Sequence, residues 1–135
     1  MPINPYLMLN GNAREAIHLY EEAFQTKADS VQTYGDMPGE TSNIPVEANA
    51  LILHARIEVD GTPIMISDVM PDSSFVQGNN INLTLVSSDA DFITHAYNIL
   101  KQNGQIEMEL QETFWTKYFA KLVDQFGVQW QLSVE

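Results

Sequence analysis

The stretch Asp60-Gly61-Thr62-Pro63-Ile64-Met65-Ile66-Ser67 has a counterpart in Phe126-Gly127-Val128-Gln129-Trp130-Gln131-Leu132-Ser133, 66 positions later. Asp-Gly is a strong signal for a two-residue hairpin turn, so Thr62 to Ser67 reads as a strand returning from it. The strand before it is Asn49 to Val59. Its alternation sets Leu51, Leu53, Ala55, Ile57 and Val59 on one face and Ile52, His54, Arg56 and Glu58 on the other. The later copy is similar: Gln105 to Gln111, then Lys117 to Val123, a turn through Asp124 to Gly127, and Val128 to Val134.

Further out, Leu7-Met8-Leu9 with Asn12, Glu15, Ile17 and Phe24 matches Leu83-Thr84-Leu85 with Ser88, Asp91, Ile93 and Leu100 at an offset of 76. Each set describes a short strand, a capped turn and an amphipathic helix. Asn12 and Ser88 stand where a side chain accepts from the first free backbone N–H groups, with Glu15 and Asp91 at the reciprocal positions. Ala13, Ala16, Ile17, Tyr20 and Phe24 recur at helical spacing, as do Phe92, Ile93, Ala96, Ile99 and Leu100. Asn103-Gly104 is a helix-ending pair. The ten-residue difference between the offsets is absorbed by an insertion, roughly Gly35 to Ala48, rich in turn-forming residues. A second loop, Pro71 to Asn80, separates half-repeats of about 1–70 and 80–135 within one domain.

Tight hairpins rule out a parallel βαβ array. The expected fold is α+β: two βαβββ half-repeats whose curved mixed sheets each cover a helix with one face. Set side by side, their free faces would enclose a cleft.

Composition narrows the function. At 135 residues the chain can bury a core without staples. The absence of cysteine excludes disulfides, thiolate catalysis and Cys-rich zinc sites. A net charge of −12 with six basic residues speaks against nucleic acid and anionic membranes as partners. No run approaches the ~20 apolar residues of a membrane span, and Met1-Pro2-Ile3-Asn4-Pro5 does not resemble a signal peptide. A cytoplasmic location is expected.

Several segments resemble the vicinal oxygen chelate superfamily (glyoxalase, bleomycin-resistance and dioxygenase proteins), and within it the PhnB-like family. They are Pro5-Tyr6-Leu7, Gly11-Asn12, Ala16-Ile17, Tyr20, Tyr34-Gly35-Asp36-Met37-Pro38, His54-Ala55, Ile64-Met65-Ile66-Ser67-Asp68, Met70-Pro71, Gln111-Glu112-Thr113-Phe114-Trp115 and Asp124-x-Phe126-Gly127-x-x-Trp130. The family pattern expects Pro at Gln125 and Gly at Thr116 and Ala120, and this chain departs from it there. The resemblance implies a homodimer and a small-molecule ligand. In metal-dependent members, four strands supply His, Gln or Glu. Carried through the repeat, those positions are Tyr6, Met65, Asn82 and Gln131, a set without carboxylate or imidazole. The expectation is therefore no metal and no cofactor.

The free faces would line the cleft with Tyr6, Met8, His54, Arg56, Met65, Ser67, Asn82, Thr84, Trp115 and Gln131. His54, expected opposite Ser67, is the candidate general base; the plainer reading is a histidine hydrogen-bonded within the sheet. Arg56, expected opposite Met65, either clamps an anion or pairs with a nearby acid. Glu112, Phe114 and Trp115 read as a strand start that lines a pocket or joins the core or a dimer interface. Trp130 should pack under a helix, Asp68 should cap a loop, and His18 and His95 should be solvated. No Gly-x-Ser-x-Gly or Gly-x-Gly-x-x-Gly occurs. The functions left open are a binder of unidentified small molecules, a metal-independent isomerase or lyase, and a protein that sequesters a toxic compound. The methyltransferase label attached to relatives finds no support in these residues.

Overall fold

The computed structural model describes residues 2–36 and 46–135. Most of the expected Gly35–Ala48 insertion, including Met37 and Pro38, lies outside them; its two ends form short 3-10 turns, Tyr34–Asp36 and Val46–Ala48. The chain divides into two compact units, Met1–Glu21 with Gln25–Phe75 and Glu22–Phe24 with Val76–Glu135. Among the described residues, no helix is long and apolar enough to cross a membrane.

The first unit contains β1 (Tyr6–Leu9), α1 (Ala13–Phe24, except its last turn), β2 (Asp29–Thr33), β3 (Ile52–Val59) and β4 (Thr62–Asp68). Its sheet has the order β1-β4-β3-β2. β1 runs parallel to β4, and the other two pairings are antiparallel. Asp60 (φ 48°) and Gly61 (φ 86°) both take positive φ, as the two-residue hairpin turn between β3 and β4 requires. The five apolar positions expected on α1 are all buried. β2 was not foreseen, because Asp29-Ser30-Val31-Gln32-Thr33 is an exposed edge with one apolar residue and no burial pattern.

The alternation expected for β3 holds from Ala55 to Val59 and fails before it. Ile52 and Ala55 are both buried, while Leu53 and His54 between them are half-buried. The cause is an irregular β2–β3 pairing, with register shifts on either side of Gln32↔His54.

The cap of α1 also differs from expectation. Asn12 makes no side-chain cap bond. Asp68, at the end of β4 and 1% exposed, does this work across the fold. Its Oδ1 accepts from Gly11 N (3.0 Å) and Ala13 N (2.9 Å), and its Oδ2 accepts from Ile52 N (2.9 Å). One carboxylate thus ties the helix start, β3 and β4 together, which is the capping role expected for it.

The second unit contains β5 (Leu83–Ser87), α2 (Ala90–Leu100), β6 (Gln105–Gln111), β7 (Tyr118–Val123) and β8 (Gln129–Val134). Its sheet, β5-β8-β7-β6, repeats the first pattern, and α2 packs on β5 and β8. The α2 cap is Asp89 rather than Ser88: its side chain accepts from Asp91 N and Phe92 N. The helix ends at Leu100, and a turn then carries the chain to Asn103 and Gly104.

Asp124 is the second buried carboxylate. Its Oδ1 accepts from Phe126 N (2.9 Å) and Val128 N (3.0 Å), and its Oδ2 accepts from Trp130 Nε1 (2.9 Å). The Asp124-x-Phe126-Gly127-x-x-Trp130 pattern is thereby explained as a turn locked to a buried indole. Trp130 is 2% exposed and packs against Phe24, in the last turn of α1, with ring centroids 5.4 Å apart. His95 is half-buried rather than solvated, with its Nε2 2.8 Å from the Glu22 carbonyl. His18 is exposed beside Glu21.

Candidate functional site

Strand pairing fixes what the free face of the first sheet presents. Tyr6, Met65, Arg56 and Asp29 follow one another across β1, β4, β3 and β2. Met8 lies beside Ser67, and His54 lies beside Gln32. Tyr6 (45%) and Met8 (53%) are large and exposed, so neither is there to fill the core. Ser67 is buried to 3%. The expected His54–Ser67 position continues the β3–β4 register, but the paired ladder ends one step earlier at Ala55↔Ile66; on its other edge His54 lies opposite Gln32 of β2. The expected Arg56↔Met65 pairing does form.

His54 turns towards β1. Its Nδ1 lies 3.3 Å from the Tyr6 hydroxyl, and the two rings are 5.9 Å apart and tilted. That contact can fix the imidazole's orientation and tautomer. Arg56, two residues on, holds Asp29 through Nη1 (3.2 Å) and approaches Glu58 through Nη2 (3.8 Å). All three side chains are substantially exposed, so this pairing contributes no more than about 1 kcal/mol. A ligand anion could displace it at small cost. Tyr34 donates its hydroxyl to the Asp68 carbonyl (2.9 Å). Burial first, then the Asp68 carboxylate and Tyr6, raise its phenol pKa above the ordinary value, so it remains a proton donor.

The second sheet repeats the arrangement with other side chains. Thr84, Gln131, Lys121 and Met108 form one row; Val86, Ser133, Phe119 and Gln111 form the next. Lys121 therefore stands beside Gln131 as Arg56 stands beside Met65, and Phe119 stands where His54 does. Neither Lys121 nor Phe119 was singled out from the sequence. The signal was present: Ala55-Arg56-Ile57 matches Ala120-Lys121-Leu122 at an offset of 65. Lys121 pairs with Glu107 at 3.3 Å.

The four positions inferred for a metal are not equivalent in pairing. Tyr6 adjoins Met65, but Gln131 adjoins Thr84, not Asn82. Asn82 precedes β5, and its buried Oδ1 lacks a hydrogen-bond partner. With either residue the set has no carboxylate and no imidazole, and among the described residues no three His, Cys, Asp or Glu side chains are grouped to hold an ion. These residues do not fit a divalent metal.

Phe114 and Trp115 belong to the connection between β6 and β7, not to a strand start or the core. Phe114 is 98% exposed and Trp115 54%. Trp115 meets Phe114 (4.9 Å, 87°) and Phe119 (5.5 Å, 68°) edge to face.

Two four-stranded mixed sheets with two helices, built from a repeated βαβββ pattern, are the fold of the glyoxalase/bleomycin-resistance proteins. A glyoxylase/bleomycin resistance protein/dioxygenase domain from Frankia sp. shares it (TM-score 0.67, 11% identity, 99% of this chain and 90% of that one). Residues 2–133 match the family described as 3-demethylubiquinone-9 3-methyltransferase, and the chain belongs to that family. It is 34% identical to Protein YjdN of Escherichia coli, over 99% of this chain and 95% of that protein. Among solved structures it is similar to PA1353 of Pseudomonas aeruginosa (TM-score 0.88, 30% identity, 100% and 98% covered). It is also similar to a PhnB protein of Bacillus cereus (TM-score 0.80, 27% identity, both chains fully covered).

Proposed function

We propose that this protein binds a small organic molecule on the free face of its first sheet, with Tyr6, Met8 and Met65 as apolar surface and His54 and Arg56 as polar contacts. The observation that carries this reading is the Tyr6–His54 pair, 3.3 Å apart on a face that also presents Arg56. An oriented imidazole and a weakly tied guanidinium, surrounded by exposed apolar side chains, are the few placed polar groups on apolar ground that small-molecule sites use. A panel of metabolites, screened by thermal shift and then by calorimetry against the parent, His54→Ala and Arg56→Ala, tests it. Binding that both substitutions weaken supports the site, and binding indifferent to both removes it.

A second reading is catalysis without metal, favoured by the contact that orients His54. The imidazole would take a proton from a carbon next to a carbonyl and return it elsewhere, as an isomerase does, with Arg56 holding a substrate acid. Turnover on the same panel separates enzyme from binder. Sequestration of a toxic compound would give tight binding without turnover. Methyl transfer, named in the family's description, needs a bound methyl donor, and the sequence has no glycine-rich nucleotide loop to hold one. The homodimer implied by the resemblance is checked by sedimentation.

A further inference from the structure

We propose that the second unit has a binding site of its own, formed by Trp115, Phe119 and Lys121, for a planar aromatic carboxylate. Three observations within that unit carry it.

The first is that the aromatics are displayed by construction. Thr113 donates through its N–H and its hydroxyl to the Thr116 carbonyl, both at 3.3 Å. Thr116 Oγ1 lies 3.1 Å from Ser133 Oγ and donates to the Val134 carbonyl. The turn is thereby anchored to β8, and Trp115 is held half-exposed above the sheet.

The second is the ring geometry. Trp115 and Phe119 lie 5.5 Å apart with planes at 68°. Two such walls make a corner in which a flat ring stacks on one and turns its edge to the other, the arrangement that aromatic quadrupoles favour.

The third is charge. Lys121 is two residues from Phe119 on the same face of β7, roughly 7 Å along the strand. That spacing suits an acid carried on the ring system. In a chain of net charge −12, an acid finds few places to sit. The Glu107 partner of Lys121 is itself 42% exposed, and so weakly held. Gln131, beside Lys121, can donate a hydrogen bond to the second carboxylate oxygen.

The two tryptophans are paired reporters, because Trp130 is buried and its indole N–H is bonded to Asp124. Nitrogen-15-labelled full-length protein is titrated with 2-naphthoate, and both indole resonances are followed. The Trp115 signal should move and saturate at millimolar ligand or below while that of Trp130 stays. Trp115→Ala, read through backbone amides of β7, should weaken binding of both 2-naphthoate and neutral 2-naphthamide. Lys121→Met should weaken 2-naphthoate about tenfold, or 1.4 kcal/mol, and leave 2-naphthamide unchanged. An unmoved Trp130 signal shows that the Lys121 variant is folded; if it moves, Lys121→Gln takes its place. The proposal is overturned by a Trp115 signal that does not saturate, or by equal affinity for cyclohexanecarboxylate. It is also overturned by undiminished binding in the Lys121 variant, or by shifts that follow protein concentration instead of added acid, which would mean that a second copy covers the rings. Because His54 and Arg56 take no part, these outcomes are independent of the first sheet's site.

Discussion

Asp68 and Asp124 are buried, and each presents acceptors at both ends of its carboxylate: to two backbone N–H groups at one oxygen and to a further donor at the other. An asparagine has only one acceptor oxygen. Whichever way its amide turns, an NH2 group faces at least one N–H donor. Asp68→Asn and Asp124→Asn should therefore each destabilise the protein by about 2–4 kcal/mol, from unsatisfied or opposed donors in a buried setting. Urea unfolding at neutral pH measures this. A loss under ~1 kcal/mol would show that the bonds are replaceable and that neither aspartate organises its unit. The same two residues account for motif positions that would otherwise invite a catalytic reading.

At the scale of strands, Ile64 and Met65 are adjacent on β4 and meet opposite surroundings, one buried and the other beside exposed Tyr6. Ile64→Ala should cost about 2–5 kcal/mol, as a core truncation does, and Met65→Ala distinctly less. Equal losses would contradict the facing of the whole strand, since one step of register exchanges its two faces. The order of elements and most strand bounds were legible in the sequence because the chain states its pattern twice. Gln105–Gln111 was placed as found, and Thr62–Ser67 was short by one residue. What was not legible has local causes. β2 lacks a burial pattern because it is an exposed edge. The partner of His54 was missed because alternation cannot reveal an irregular pairing. The cap of α1 comes from Asp68, more than fifty residues away in the chain. The offset of 76 aligns the helices' buried residues, but strand pairing matches Tyr6 with Thr84, and a single offset could not carry both. Of the residues named from the sequence, Tyr6, Met65 and Arg56 stand in one row of the first sheet, and Tyr6 meets His54. Lys121 corresponds to Arg56 at an offset of 65, which neither of the two repeat offsets, 66 and 76, reveals.

For the molecule as a whole, the four positions that the resemblance would assign to a metal, Tyr6, Met65, Asn82 and Gln131, carry side chains that are poor ligands. Protein purified without chelator should carry no stoichiometric divalent ion by elemental analysis. Titration with Mn2+, Ni2+ or Zn2+ should leave its melting temperature unchanged, whereas an ion bound to the native state would raise it. What the free face of the first sheet does offer is an imidazole, a guanidinium and exposed apolar surface, none of it needed by the core. The most direct test is thermal melting of the parent, His54→Ala and Arg56→Ala, each alone and with the compound that most stabilises the parent in the metabolite screen. Without ligand, all three should melt within a few degrees of one another, because partly exposed side chains carry little stability. With ligand, the stabilisation seen in the parent should be lost or sharply reduced in both variants. A substitution that unfolds the protein, or a ligand shift that survives both substitutions, would contradict a binding site at His54 and Arg56.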